Sequence, residues 1–209
     1  MRFFRTPFLL PLLYPRLIWR MPSTGKELYL TFDDGPVPGP TEFVLDVLKQ
    51  YRVTASFFCI GDNVRQYPEI FLRILREGHA VGNHTYHHLN GWKTPAHDYM
   101  INVRMFDATA QAAGYRPVTR YFRPPYGRIT RTQIGLLKDY SIVMWDVLSY
   151  DFSSSLSPDE CLDQTTRASR PGSIVVFHDS HKAWNNLSFV LPRYIENMRN
   201  EGYTFHTLT

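Results

Sequence analysis

From residue 27 onward, seven short apolar or β-branched runs alternate with stretches of helical spacing, and few folds accommodate that order. The runs fall at 27–32, 53–60, 79–83, 120–122, 141–147, 173–178 and 203–207. Between the first two, Phe43, Val44, Val47, Leu48 and Tyr51 carry helical spacing, with Thr41 as the N-cap. The stretch 68–77 places Ile70, Phe71, Ile74 and Leu75 on one face, with Pro68 early and Gly78 past the end. Further helices are predicted over 94–114, 131–138 and 187–200. Ser157-Pro158-Asp159-Glu160 marks another helix start, combining a capping box with proline at the first helical position. Such alternation, without a repeat or linker, argues for a single α/β domain on a mainly parallel sheet. Periodicity does not choose between an open sheet and a barrel.

The polar residues at the ends of the runs make that choice. Asp33-Asp34-Gly35, His84 with His88, Arg123 ahead of Pro124-Pro125-Tyr126-Gly127, Asp151, and His178 all sit at or just beyond predicted strand ends. A parallel α/β barrel gathers its catalytic groups there. Groups from the first, third, fourth, fifth and sixth strands converge on one point only if the sheet curls round, which favours the barrel.

Each motif has a bland reading and a chemical one. Imidazoles four apart on a helical turn face one side, a spacing that suits one metal ion. Taken alone, His84 and His88 are equally polar loop residues. Asp34 adds a carboxylate, and two imidazoles with one carboxylate form an open set for zinc or another divalent ion. Asp33, adjacent on a strand-ending turn, is free to face water as a base. Arg123 is suited to a bidentate carboxylate pair, and the two prolines fix the Tyr126 N–H as an oxyanion donor. His178 ends the apolar run 174–177 and serves as an acid only with a carboxylate beside it, Asp151 or, second, Asp146. The remaining histidines, 79, 87, 97, 181 and 206, match no role; His87 and His181 lie nearest the motifs. Trp92 and Trp184 are candidates for stacking on sugar rings.

In this order, the five motifs resemble the polysaccharide deacetylases, carbohydrate esterase family four with the NodB-homology fold, over about residues 27–209. The resemblance implies a deformed (β/α)7-type barrel and metal-dependent removal of acetyl groups from carbohydrate. It implies Asp33 as base and Asp34, His84 and His88 as ligands of a divalent ion, Zn²⁺ first, with Co²⁺ or another as alternatives. It assigns Arg123 to orienting the base and Tyr126 to the backbone oxyanion donor. Asp151 tunes the acid, His178. The implied substrate is an acetylated glycan containing N-acetylglucosamine; the alternatives are an O-acetyl glycan esterase and a non-catalytic carbohydrate-binding relative. The chain departs from the family at Phe152, usually Trp, and at Val176, usually Leu. Both positions stay apolar but change the shape of the acetyl pocket and groove.

Composition narrows the partners. The 209 residues carry a net charge of +4 with no basic run of five or six and no nucleic-acid-binding motif, so no nucleic-acid partner is expected. Of two cysteines, Cys59 reads as a buried thiol and Cys161 lies on a predicted helix, and nothing calls for a disulfide. Residues 1–26 form a separate apolar and basic segment ahead of the catalytic domain, 27–209. Pro7 and Pro11 interrupt its apolar run and no small-x-small site follows, so it reads as neither a cleavable signal nor a membrane span. We expect it to pack on the barrel floor. The alternative is weak membrane-surface association through residues 2–20. The chain is expected to be cytoplasmic or membrane-peripheral.

Overall fold

Eight strands form in the computed structural model, which describes residues 2–208, and every strand pairing is parallel. In chain order the elements are α1 (Leu9–Leu13), β1 (Glu27–Asp33), α2 (Pro40–Tyr51), β2 (Ser56–Cys59), α3 (Gly61–Gln66), α4 (Pro68–Arg76) and β3 (Ala80–Asn83). There follow α5 (Ala96–Ala112), β4 (Tyr121–Phe122), α6 (Arg131–Leu136), β5 (Ser141–Ile142) and β6 (Val147–Leu148). The chain ends with α7 (Pro158–Ala168), β7 (Ile174–His178), α8 (Trp184–Asn200) and β8 (Thr204–Phe205). Strand order is β5-β4-β3-β2-β1-β7-β6, with β8 paired to the start of β1. This is the deformed (β/α)7 barrel, open between β5 and β6.

The opening corrects one expectation. The run 141–147 is not one strand but two, on opposite edges of the sheet. Residues between them leave the ladder, and the carbonyls of Val143 and Met144 accept bonds from the Arg123 guanidinium instead. Both free edges are then met by the N-terminal segment. Ile18 donates to Ile142 and accepts from Met144 at 2.8 and 2.7 Å, while Thr6 donates to Asp146 and Phe4 accepts from Leu148 at 2.8 and 2.9 Å. Covering these edges satisfies backbone groups that would otherwise be buried unpaired.

Other boundaries shift for local reasons. Gly39, not Thr41, caps α2; Thr41 lies in the first turn, where its hydroxyl accepts the Val37 N–H at 2.8 Å. The apolar pattern does not reveal α3, because only Gly61 and Val64 of its residues are buried. Ser157 caps α7 through the Glu160 N–H at 3.2 Å, and α8 starts at Trp184 and absorbs Pro192 in its interior.

Alternation along the strands divides two apolar layers. Leu28, Leu30 and Phe32 of β1 face outward to α2 and α8, where Phe32 stacks between Phe57 and Phe177 at 5.1 and 6.2 Å. Each such fully buried side chain contributes about 1.5–3 kcal/mol. Tyr29, Phe58, Val143, Ile174 and Leu208 form a separate inner cluster, against which Ile18 and Met21 pack. Leu17 and Trp19 join a third cluster with Tyr99, Phe122 and Ile134. Cys59 and Cys161 are both buried and unpaired with each other.

Candidate active site

In the parallel ladder Asp33 of β1 is the register partner of His178 on β7, so their side chains leave neighbouring strands at the same level and on the same side. Both enter one cavity of about 400 Å³ at the C-terminal ends of the strands, lined also by Asp34, His84, His88, Tyr126, Trp145, Phe152 and Val176. Of the eight candidate residues that the sequence places at or just beyond strand ends, six line this cavity, and Arg123 and Asp151 are bonded to Asp33 and His178, which do.

Arg123 follows β4 and is fully buried, the largest such side chain in the protein. Its Nη1 donates to Asp33 Oδ1 at 2.6 Å and to Thr31 Oγ1 at 2.8 Å. Nε and Nη2 donate to the Val143 and Met144 carbonyls at 3.2 and 3.0 Å, and the guanidinium lies 4.0 Å from the centre of the Phe58 ring. The expected bidentate pair is therefore a single short ion pair, because three of the donors hold the arginine to the barrel wall. One fixed, charge-assisted bond still orients the Asp33 carboxylate.

On the opposite side Asp151 grips His178 twice. One oxygen accepts the His178 backbone N–H at 2.7 Å, and the other meets ring Nδ1 at 2.8 Å. Asn186 of α8 in turn donates to the Asp151 carbonyl at 3.0 Å. Nδ1 is thereby occupied, leaving Nε2 for the cavity. Burial opposes charging of His178, but the Asp151 carboxylate overcomes it, with Asp34 and Asp33 adding, and the pKa rises from 6.5 to about 9. Asp146, the second candidate partner, is instead taken by Arg170 and Ser173.

Asp34, His84 and His88 place one ligand atom each within 4.8 Å of one another. The Nε2 atoms of His84 and His88 lie 3.7 and 3.2 Å from Asp34 Oδ1. Their Nδ1 atoms are engaged elsewhere, His84 with the Arg123 carbonyl at 2.8 Å and His88 with the Tyr126 hydroxyl at 3.1 Å. Burial pushes the His84 pKa down to about 4, against the pull of Asp33, so the imidazole is neutral with its lone pair available. For Asp34, burial alone would raise the pKa, but the His88 hydrogen bond and the nearby His178 and His84 hold it well below the usual carboxylate range. One carboxylate and two neutral-capable imidazoles, each ring steered by a second partner, fit a divalent cation with an open position.

The route by which these ligands converge differs from the helical turn expected for His84 and His88. Residues 84–88 are a loop in which Thr85 and His88 adopt φ of 62° and 54°. Asn83 accepts the Thr85 N–H and Asn102 the Tyr86 and His87 N–H groups, at 2.8–2.9 Å. Asp34 (φ 84°), Tyr126 (61°) and Tyr150 (56°) share the left-handed region; of the six non-glycine residues there, Asp34, His88 and Tyr126 line the cavity, and Thr85 and Tyr150 adjoin His84 and Asp151 in the chain. At Asp34 this conformation swings the carboxylate away from the strand direction, so that consecutive aspartates both reach one cavity. Such backbone costs of order 1–3 kcal/mol per residue and persists only where neighbours over-determine it. Next to Asp34, Gly35 donates to Asp179 Oδ1 at 3.0 Å, and a Cβ at Gly35 would collide with that carboxylate.

Several residues were not nominated or fall elsewhere. Asp179 is buried, contacts Thr41 Oγ1 at 2.7 Å, and has its pKa raised to about 8 chiefly by burial, then by Asp34. Its position directly after the strand-ending His178, on the strand beside Asp-Asp-Gly, was the available signal. The Tyr126 side chain, 4.5 Å from the His88 ring, and Lys182, over Phe152 at 5.2 Å, also line the cavity. Phe152 meets His178 edge to face at 4.8 Å. His87 turns to Asn102 at 2.9 Å, His181 is exposed outside the lining, and His79 is buried and pushed down to about 4 by burial. Trp92 and Trp184 do not line the cavity; Trp145 does.

Comparison with known proteins bears on this arrangement. The family model described as polysaccharide deacetylase matches residues 20–145, ending before Asp151 and His178. The chain is 35% identical over 191 residues to a peptidoglycan-N-acetylglucosamine deacetylase of Bacillus cereus, covering 90% of this chain and 68% of that protein. It is 35% identical over 161 residues to a chitooligosaccharide deacetylase of Bradyrhizobium sp., covering 76% and 73% respectively. Among solved structures, a peptidoglycan N-acetylglucosamine deacetylase in complex with 4-naphthalen-1-yl-N-oxidanyl-benzamide superposes with a TM-score of 0.87 at 33% identity, covering 97% of this chain and 95% of that one.

Proposed function

The chain belongs to the polysaccharide deacetylase family, and from that premise we propose that it is a metal-dependent hydrolase that removes N-acetyl groups from a glycan or oligosaccharide containing N-acetylglucosamine. The observation that carries this reading is the convergence in one cavity of an arginine-held carboxylate, a carboxylate-held imidazole and a three-ligand cluster. Acetylated-carbohydrate substrates named for the relatives are consistent with it.

In this reading Asp34, His84 and His88 hold the cation, with Zn²⁺ the best match to the ligand set. A divalent ion there supplies Lewis-acid polarisation of a carbonyl and lowers the pKa of water. Asp33, fixed by Arg123, accepts a proton from the water that attacks the acetyl carbon. The Tyr126 N–H, in a turn stiffened by Pro124 and Pro125, donates to the developing oxyanion. His178, held cationic by Asp151, gives its proton to the amide nitrogen as the C–N bond breaks. Water supplies the hydroxyl that ends on acetate, and the sugar leaves as a free amine. Phe152, Val176, Leu148 and Trp145 form the apolar wall against which an acetyl methyl packs.

The test is release of acetate together with new primary amine across a panel of acetylated glycans, using chelator-stripped protein with and without added Zn²⁺ or Co²⁺. Both products should appear only with metal. Acetate without amine would assign O-deacetylation, and full turnover by metal-free protein would refute the mechanism.

A further inference from the structure

The N-terminal segment is resolved into two parts by the fold. Residues 17–21 contribute the buried Leu17 and Trp19 and pack Ile18 and Met21 on the inner cluster, whereas before them only Phe4, Leu10 and Tyr14 pack, partly buried, against the clusters. No residue of α1 is buried. Phe3, Phe8, Leu9, Leu12 and Leu13 are 53–77% exposed, and they make up five of the twelve exposed large apolar residues among those described. Concentration of such side chains in eleven consecutive positions, 3–13, is far from the scattered single residues normal on a soluble surface.

Charge separates along the same boundary. Residues 1–26 contain five Lys/Arg (Arg2, Arg5, Arg16, Arg20, Lys26) and no Asp/Glu, whereas the remainder carries 18 against 19. The whole net positive charge of the chain thus resides in this segment. Among the described residues, Arg16 and Arg20 are exposed and form no ion pair with a carboxylate. Exposed apolar side chains flanked by basic ones match a surface with an apolar interior and anionic headgroups. A second copy of the chain fits less well, since a symmetric contact would bring two polybasic segments together.

We propose that residues 2–20 dock peripherally on an anionic lipid surface, with Phe8, Leu9, Leu12 and Leu13 entering the interface and the arginines attracting headgroups. The docked segment adjoins the cavity. Phe4 accepts the N–H of Leu148, a cavity-wall residue, and Arg2 donates to Ser153 and Ser155 in the loop after Phe152. Lipid docking therefore sets the cavity wall beside the membrane surface. No helix of the described residues is long and apolar enough to cross a membrane, so the contact is interfacial.

Vesicle flotation with the full chain tests this. The protein should float with phosphatidylglycerol/phosphatidylcholine vesicles and not with phosphatidylcholine alone, and added salt should release it. Phe8→Ser/Leu12→Ser/Leu13→Ser should weaken the partition coefficient by on the order of tenfold or more. Arg16→Gln/Arg20→Gln should weaken it by about fivefold for each charge removed. Unfolding midpoints and turnover of a soluble acetylated oligosaccharide should match wild type. If the apolar variant does not fold, the arginine variant and the salt series decide. Failure of wild type to float with anionic vesicles overturns the proposal, as does equal flotation by the variants. Loss of a wild-type dimer in the apolar variant, without vesicle binding, would assign the patch to self-association and also overturn it.

Discussion

Replacing Asp151 with Asn tests the most consequential electrostatic feature of the site. The substitution nearly preserves shape but removes the charge that meets His178 at 2.8 Å. His178 is buried, and burial is the largest influence on it, acting to lower its pKa; Asp151 is the first of the influences that raise it to about 9. Without that carboxylate the pKa should fall to 6.5 or below. At pH 8 the wild-type imidazole is then about nine-tenths protonated, and the variant at most about one part in thirty. The expected loss of kcat/KM at pH 8 is roughly 30-fold or more, and it should shrink as pH is lowered. The alkaline limb, which reports the acid in the free enzyme, should move down by about two units or more. A cation at Asp34 withdraws that residue's help to His178, so the difference between the two metal-loaded proteins carries the test. An unmoved alkaline limb, or a loss of equal size at every pH, would refute the general-acid reading. The same shift has a stability consequence. His178 gains affinity for its proton on folding, so its contribution, roughly 3 kcal/mol, is fully present below pH about 6.5 and is lost as pH rises through about 9. Chemical denaturation of the metal-free protein across that window should show a steeper decline in wild type than in Asp151→Asn, which keeps only the decline up to about pH 8 owed to Asp179.

Three further outcomes follow from the geometry. Asp33→Asn should retain metal by elemental analysis while losing about 10²–10⁴-fold in turnover, because Asp33 lies outside the three-ligand cluster; loss of metal would exchange the roles of Asp33 and Asp34. Phe152→Trp should change the ranking of substrates more than metal affinity, since Phe152 forms cavity wall against His178 and Lys182; an unchanged ranking would remove it from the substrate's path. Gly35→Ala should destabilise by about 1–3 kcal/mol or more, read as a shift in denaturation midpoint, because the new Cβ meets the Asp179 carboxylate; a neutral effect would show that this contact yields freely.

The sequence alone determined the barrel class and named the residues that meet in the candidate site, because both rest on local information. Strand and helix periods repeat within a few residues of one another, and each functional group falls at the end of a run whose apolar pattern is unmistakable, such as 174–177 before His178. What local pattern does not carry is how one run meets another. The break of 141–147 into two edge strands depends on Arg123, some twenty residues earlier, taking the Val143 and Met144 carbonyls, and on the N-terminal segment meeting both edges. The convergence of His84 and His88 was legible from their spacing, but its cause was not. Left-handed backbone at Thr85 and His88, held by Asn83 and Asn102, replaces the expected helical turn. Asp179 escaped notice for the same reason: an acid next to a strand-ending histidine gains meaning only when the parallel register sets that strand beside Asp33 and Gly35. Choice between Asp151 and Asp146 as the partner of His178 likewise waited on distance, since Asp146 lies within the broken run and Asp151 just beyond it, and only Asp151 reaches His178. Chemistry-bearing residue types are written in the chain, but the angles at which they meet come from long-range hydrogen bonds that no window of sequence contains.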